Sequence, residues 1–350
     1  IAAVTGMAPV TGVPLPLISY GGSAMLVVLG IFGLIQSSHV HRLIKKIKMQ
    51  ILFMSDLLPY YKETLTKELV KKGVKNFKLS TNCNDSFEEV NFIIYSPVKK
   101  NGVKLNRDFS QFKNLKAVLS LYAGIEDFIG NKTLKCPLIK MIDKNGLTNS
   151  MIEWCLAHTL RLHLGLDRHI LGQDGIWRHK VKPPIARDRS VGILGLGELG
   201  RPVSLFLKKI GFKIFGWSRT RKRIEGIKCL HGTNGLKEVL KKSEILILLL
   251  PLTNDTRFIL NNYTLSLLPR RSQIINAGRG ELIEDTALIE NLRSGHILNA
   301  TLDVFQQEPL PKEHPYWILP SVTVTPHIAA DTPIESSSKV LASNIKDLIE

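Results

Sequence analysis

The sequence predicts an α/β protein of two domains, one a doubly wound parallel sheet and the other a smaller open sheet. Three observations carry that expectation. An apolar run, Val191-Gly192-Ile193-Leu194, is followed by Gly195-Leu196-Gly197-Glu198-Leu199-Gly200 and then by a helix-like segment at 201–209. Short apolar runs alternate with amphipathic segments over most of the chain, as parallel strands covered by helices require. The chain has 350 residues, enough for two separate cores.

Each glycine of the 195–200 turn has a physical task if the turn cradles a dinucleotide. The first allows a tight turn, the second lets backbone approach a pyrophosphate, and the third lets helix and strand pack closely. The amide groups and the helix dipole then hold the diphosphate's charge. The backbone of Gly195, Leu196, Gly197, Glu198, Leu199 and Gly200 is the expected phosphate site.

Composition narrows the function classes. Lysine and arginine number 47 against 30 acidic residues, a formal net charge of +17. The basic residues are spread along the chain and no nucleic-acid motif accompanies them, so no nucleic-acid partner is expected. A positive field would instead draw in anionic substrates and a phosphorylated cofactor. Cys83, Cys136, Cys155 and Cys229 lack C-x-x-C spacing, which fits reduced thiols rather than a disulfide frame. No Cys/His cluster has metal-ligand spacing, so no metal is expected.

The first segment differs from the rest. Residues 1–38 carry no charge, residues 23–36 (SAMLVVLGIFGLIQ) are nearly all apolar, and a basic flank follows at His39, His41, Arg42, Lys45, Lys46 and Lys48. With residues 18–22 added, the stretch is barely long enough to span a bilayer as a helix. Its flank would set the following side in the cytoplasm, and it lacks the charged start of a signal peptide. The run Pro9-Val10-Thr11-Gly12-Val13-Pro14-Leu15-Pro16 with Ser19-Tyr20-Gly21-Gly22-Ser23 resembles the loop and last transmembrane helix of the FtsW/RodA family of cell-wall polymerases. Residues 1–48 are therefore expected to be a membrane-type segment from a fused gene fragment. A genuine tether for the rest of the chain is the alternative.

From Met49 a fresh pattern begins. Strand-like runs at 50–54, 77–80, 92–96, 117–121 and 138–142, with an amphipathic helix at 60–72, predict a small flavodoxin-like domain over 49–145. Tyr122-Ala123-Gly124-Ile125 follows one of these strands, where backbone amides can face a ligand, and Tyr95 can line the same cleft or be a half-buried aromatic. A helix at 149–166 crosses to the second domain, with His158 and His163 read as helix-surface or packing residues rather than ligands.

Residues 146–330 then read as a Rossmann-type series. The strand at 212–217 ends in Trp217-Ser218-Arg219-Thr220-Arg221-Lys222-Arg223, where an NAD enzyme carries an acidic residue for the ribose hydroxyl. A guanidinium there binds a 2′-phosphate, so NADP is expected, with NADPH preferred and NAD the weaker choice. A helix is expected at 236–242, a buried strand at 244–251, and further strands at 272–275, 299–304 and 322–324. Just past successive strand ends stand Arg279, Glu308 and His327. Such positions are where open α/β sheets bind ligands. A histidine can protonate a carbonyl oxygen that gains charge during hydride attack. A carboxylate favours its imidazolium, and a guanidinium can grip a substrate carboxylate.

At these residues the chain resembles the D-isomer-specific 2-hydroxyacid dehydrogenases, and within them the glyoxylate/hydroxypyruvate reductase A group. The matching motifs are Gly192-Ile193-Leu194-Gly195-Leu196-Gly197, Trp217-Ser218-Arg219-Thr220-Arg221-Lys222, Leu249-Leu250-Pro251, Gly278-Arg279-Gly280, Leu302-Asp303-Val304-Phe305 with Glu308-Pro309-Leu310-Pro311, and Thr325-Pro326-His327-Ile328-Ala329. The resemblance implies catalytic roles for Arg279, Glu308 and His327 and a nicotinamide-amide ligand at Asp303. It implies substrate-carboxylate amides at Ala123, Gly124 and Ile125. With Tyr95 these form the expected substrate site. Ser218, Arg219, Arg221, Lys222, Pro251, Leu252, Ala277 and Asp303 join the glycine turn as cofactor contacts. A small anionic 2-keto acid, a homodimer and a cytoplasmic location are also implied, with membrane contact only through residues 1–48. Two departures stand out. Tyr122 occupies a place the family usually gives to a small residue, and residues 331–350 form a shortened return to the first domain. The rival reading is a non-catalytic NAD(H)-sensing regulator on the same fold.

Overall fold

The computed structural model describes residues 49–81, 87–96, 108–177, 182 and 184–350. No helix among them is long and apolar enough to cross a membrane. The expected membrane-type segment at 1–48 lies outside the described residues.

Two parallel sheets make up the described chain. The first contains β1 (Met49–Met54), β2 (Phe77–Ser80), β3 (Val90–Tyr95), β4 (Ala117–Ser120) and β5 (Leu138–Ile139) in the order β2-β1-β3-β4-β5. Its central strands are buried on both faces, which is why β3 and β4 read as continuous apolar runs rather than alternating ones. Helix α1 (Leu58–Lys71) places Leu58, Tyr61, Leu65 and Leu69 on one face of that sheet. These residues recur at three- and four-residue steps, the spacing of one helix face.

Helix α2 (Leu147–Leu164) leads toward the second sheet and stops at Gly165, whose left-handed backbone closes the helix end. A single turn, α3 (Asp167–Ile170), follows. The second sheet then runs β6 (Ser190–Leu194), α4 (Gly200–Ile210), β7 (Lys213–Ser218), β8 (Lys228–His231), α5 (Gly232–Lys242), β9 (Ile245–Leu248), α6 (Asn262–Ser266), β10 (Ser272–Asn276), α7 (Asp285–Arg293), β11 (Ile297–Leu302) and β12 (Val322–Val324). Its strand order is β12-β11-β10-β9-β6-β7-β8, all parallel. Counted from its own first strand, this is 3-2-1-4-5-6-7, with the order reversing between β6 and β9, where such sheets open a ligand crevice.

Several boundaries differ from the sequence expectation. The strand expected at 244–251 ends at Leu248. Pro251 has no amide to donate, and Thr256 Oγ1 donates to its carbonyl to close a turn instead. The strand expected at 138–142 shrinks to two residues. The apolar run at 265–268 is the end of α6 and its exit turn, with Leu265 and Leu268 turned into the core. Strand β8 and helix α7 were not anticipated. The ends of β8, Lys228 and His231, are exposed and it sits at the sheet edge, so it carries little apolar signal.

Helix α8 (Ile334–Ile349) returns from the second sheet to the first and packs against α1. Leu341, Ala342 and Ile345 enter the first core, and the Tyr61 hydroxyl shares a 2.9 Å hydrogen bond with Ser337 Oγ. The two ends of the described chain thus close one core. Ile345 is fully buried there, so Ile345→Ala should cost about 2–4 kcal/mol in a denaturant melt. A loss under about 0.5 kcal/mol, the level of an ordinary surface change, would show that α8 is not part of that core.

Candidate active site

The carboxyl ends of both sheets face one cavity of about 660 Å³. From the first sheet it is lined by Tyr95, Ser120, Tyr122, Gly124, Glu126 and Phe128. From the second come Leu252 after β9, Arg279 after β10, Phe305 and Glu308 after β11, and His327 after β12. The three expected catalytic side chains therefore share one space, although 48 residues of chain (327 − 279) separate the outer two.

Arg279 is set by the turn that follows β10. Asn276 is the last residue of the strand and is buried. Its side chain accepts from the Gly278 amide at 3.1 Å and donates to the Arg279 carbonyl at 2.9 Å, so one amide fixes both ends of the turn. The guanidinium donates through Nη1 to the Gly278 carbonyl at 2.6 Å and through Nη2 to Glu126 Oε2 at 3.1 Å. Glu126 lies in the first half of the chain, so this ion pair bridges the cleft. Sequence reading missed Glu126. It stands directly after the Ala123-Gly124-Ile125 run, and that adjacency was the available signal.

His327 sits in the left-handed region at φ 56°, a conformation that costs a side-chain-bearing residue energy unless its surroundings hold it. The holding is visible. Its amide donates to the Asp303 and Thr325 carbonyls at 2.9 and 3.0 Å. The buried Asp303 carboxylate accepts from Thr325 Oγ1 at 2.6 Å and from the Ile328 and Ala329 amides at 2.9 Å each. Asp303, expected as a nicotinamide ligand, thus spends both oxygens on the loop that carries His327. The histidine's Nδ1 lies 2.8 Å from Glu308 Oε2, while Glu308 Oε1 accepts from the Phe305 amide at 3.0 Å.

The pair perturbs both groups. The hydrogen bond to Glu308 raises the His327 pKa above its usual value, partial burial works against that, and the Glu308 charge adds to the rise. Burial alone would lift the Glu308 carboxyl, but the His327 and Phe305 hydrogen bonds outweigh it and hold the acid below its ordinary range. Both shifts favour an imidazolium paired with an ionised carboxylate, with Nε2 left to face a ligand.

The glycine turn fits a dinucleotide on geometric grounds. Gly195 has φ 106°, and a methyl group on Gly200 would lie 1.7 Å from the Gly195 carbonyl oxygen, so strand and helix meet at a distance only glycine permits. Space beside Gly197 is open. Leu196 is buried and Leu199 packs against two cores, so these two offer backbone rather than side chain. Past β7, Arg219, Arg221 and Lys222 are exposed, while the Ser218 hydroxyl is committed to the Thr220 carbonyl at 2.8 Å. From β10 across β9 and β6 to β7 is three strand spacings, roughly 14 Å. That separates the Arg279 end from the basic end along one sheet edge.

Other expectations divide. Tyr95 is fully buried rather than half-buried, edge-on to Phe128 at 4.7 Å, and forms part of the cavity wall. Gly124 lines the cavity, whereas the side chains of Ala123 and Ile125 pack into two different cores. Leu252 lines the cavity, Pro251 is exposed outside it, and Ala277 is buried in the core. His158 lies tilted against the Trp154 ring at 4.3 Å and His163 meets Phe212 edge-on at 4.9 Å, as packing residues do.

Residues 154–329 match the family described as D-isomer specific 2-hydroxyacid dehydrogenase, NAD binding domain. Residues 1–43 match a second family, described as cell cycle protein and covering FtsW, RodA and SpoVE. Glyoxylate/hydroxypyruvate reductase A of Photorhabdus laumondii is 36% identical over 239 residues, 66% of this chain and 76% of that protein. A D-isomer specific 2-hydroxyacid dehydrogenase from Xanthobacter autotrophicus, solved with NADPH and MES, is 33% identical with a TM-score of 0.77, covering 86% of this chain and 95% of the other. The NADPH-dependent glyoxylate/hydroxypyruvate reductase of Sinorhizobium meliloti, solved with NADP and sulfate, is 31% identical with a TM-score of 0.73, covering 86% and 94%.

Because the folded pKa of His327 is raised, its pairing energy is fully present below the unfolded histidine value of about 6.5 and is lost as pH rises through the folded value. An NMR titration of the His327 ring should give a midpoint above about 6.5, and Glu308→Gln should move it down. A midpoint unmoved by that substitution would show that Glu308 does not hold the imidazolium.

Proposed function

The chain belongs to the D-isomer specific 2-hydroxyacid dehydrogenase family, and on that premise we propose that it reduces glyoxylate or hydroxypyruvate to the D-2-hydroxy acid with NADPH. One observation carries the proposal: Arg279, Glu308 and His327 line a single cavity, with an imidazolium and a guanidinium available to one small molecule. The 36% identical relative bears the reductase name, which supports the same substrates here.

The backbone at 195–200 would hold a reduced nicotinamide nucleotide, which when bound would supply a hydride for the keto carbon. The chain's own residues do the rest. Arg279 presents the unused edge of its guanidinium to the substrate carboxylate. His327 donates its Nε2 proton to the carbonyl oxygen as negative charge develops there, and keeps its Nδ1 proton on Glu308. The neutral ring that remains is open enough to regain a proton from water, its side chain being 55% exposed. Asp303 holds the 325–329 loop in place, and Tyr95, Phe128 and Phe305 wall the cavity with apolar surface.

The phosphate-binding assignment follows the same edge. The backbone at 195–200 takes the diphosphate, and Arg219, Arg221 and Lys222 take the 2′-phosphate of NADP. We assign residues 146–330 to a Rossmann-type nucleotide domain, and residues 49–145 with 331–350 to a flavodoxin-like substrate domain. The two separate sheets and the packing of α8 on α1 support that division. A homodimer through the nucleotide domain and a cytoplasmic location complete the reading, the latter supported by free thiols at Cys136, Cys155 and Cys229. Residues 1–48 are assigned to a fused fragment of a cell-wall polymerase gene, a reading supported by the second family match.

Wild-type protein should oxidise NADPH when given glyoxylate, and His327→Asn should slow that turnover on the order of 10²–10⁴-fold. Near-normal turnover of the variant would remove His327 from the proton-donor role. Arg219→Ala should raise the KM for NADPH more than that for NADH, and equal effects on both would make the basic loop mere surface.

A further inference from the structure

The ion pair between Arg279 and Glu126 has no place in the reaction just described, and it sits on the wall of the substrate cavity. We propose that Glu126 is a specificity residue that restricts the enzyme to 2-keto acids with a single carboxylate and a neutral tail, and rejects 2-keto dicarboxylates. This inference rests on the reading of Arg279 as the grip for the substrate carboxylate.

The charge inventory of the cavity is the first support. Among the described lining residues the cations are Arg279 and the imidazolium of His327, and the acids are Glu126, Glu281 and Glu308. Glu308 is spent on His327 at 2.8 Å, and Glu281 has Arg257 as a partner at 3.7 Å. His327 serves the carbonyl oxygen. One guanidinium is left, and Glu126 already takes one of its edges at 3.1 Å. A first substrate carboxylate finds the remaining donors of the fork. A second one finds no free cation on the wall and meets Glu126.

The fit of the pair is the second support. Glu126 and Arg279 close over the Gly124 backbone so tightly that a methyl group there would lie 1.9 Å from Nη2 and 2.8 Å from Oε2. Meanwhile Nη1 is bonded to the Gly278 carbonyl. The guanidinium is therefore held from two sides and cannot swing out to follow a distant carboxylate without breaking both bonds. A tail carrying a hydroxyl can instead donate to Glu126, which turns the same carboxylate from a repulsive wall into an acceptor. Discrimination of this kind works by an unfavourable contact with the wrong substrate as much as by a good one with the right substrate.

The test compares kcat/KM for oxaloacetate, a 2-keto dicarboxylate, with that for glyoxylate, using NADPH and the full chain. The side chains of Arg279 and Glu126 are 31% and 26% exposed, so water screens part of the repulsion. Glu126→Gln should raise the oxaloacetate-to-glyoxylate ratio about five- to twentyfold. Glu126→Ala, which removes the charge without leaving an amide, should move the ratio the same way. A ratio that stays level or falls in both variants overturns the inference while leaving the role of Arg279 intact. Wild-type protein that reduces neither compound would instead overturn the reading on which the inference rests.

Discussion

The site hangs on a carboxylate that the proposed chemistry does not consume. Asp303, at the end of β11, takes a hydroxyl and two amides from residues 325–329, and its own carbonyl takes the His327 amide. These bonds hold His327 at a positive φ that an unsupported loop would relax. Strand β12 is only three residues long and lies at the sheet edge, so it could not aim the ring by itself. The strain is offset by four hydrogen bonds from one residue, and the ring arrives beside Glu308 as a consequence.

Charge in the cleft is arranged in pairs rather than as a general positive field. Arg279 meets Glu126, His327 meets Glu308, and Arg257 meets Glu281. The net charge of +17 belongs to the chain as a whole. The wall of the cavity is close to neutral. Long-range attraction of anions and short-range choice among them are thus handled by different residues, the first by the surface and the second by a few paired side chains. The same economy holds along the carboxyl edge of the second sheet, where the basic loop after β7, the glycine turn after β6, and Arg279, Glu308 and His327 after β10, β11 and β12 follow one another in strand order.

Much of this was legible in the sequence because it is local. The Gly195–Gly200 turn reports its own conformation, since a crowded strand–helix junction needs glycine at fixed spacing. The buried strands of both sheets announced themselves as apolar runs, and Arg279, Glu308 and His327 were found by their places just past strand ends. What escaped was tertiary. Glu126 reaches Arg279 across 153 residues of sequence, and its place after the Ala123-Gly124-Ile125 run points to the cleft but not to that partner. The motif around Asp303 points to a cofactor contact and gives no sign that the same carboxylate also holds the loop behind His327. Edge strand β8, with exposed ends and half-buried middle residues, gives no periodic signal at all.

The central claim is that one small keto acid is gripped by Arg279 and protonated by His327 within a single cleft. A crystal structure with NADPH and the unreactive analogue oxamate tests it most directly. The account predicts the oxamate carboxylate on the free edge of the Arg279 guanidinium and its amide carbonyl oxygen within hydrogen-bond distance of His327 Nε2. An oxamate seated elsewhere, or touching one of these side chains while the other faces away, would contradict it.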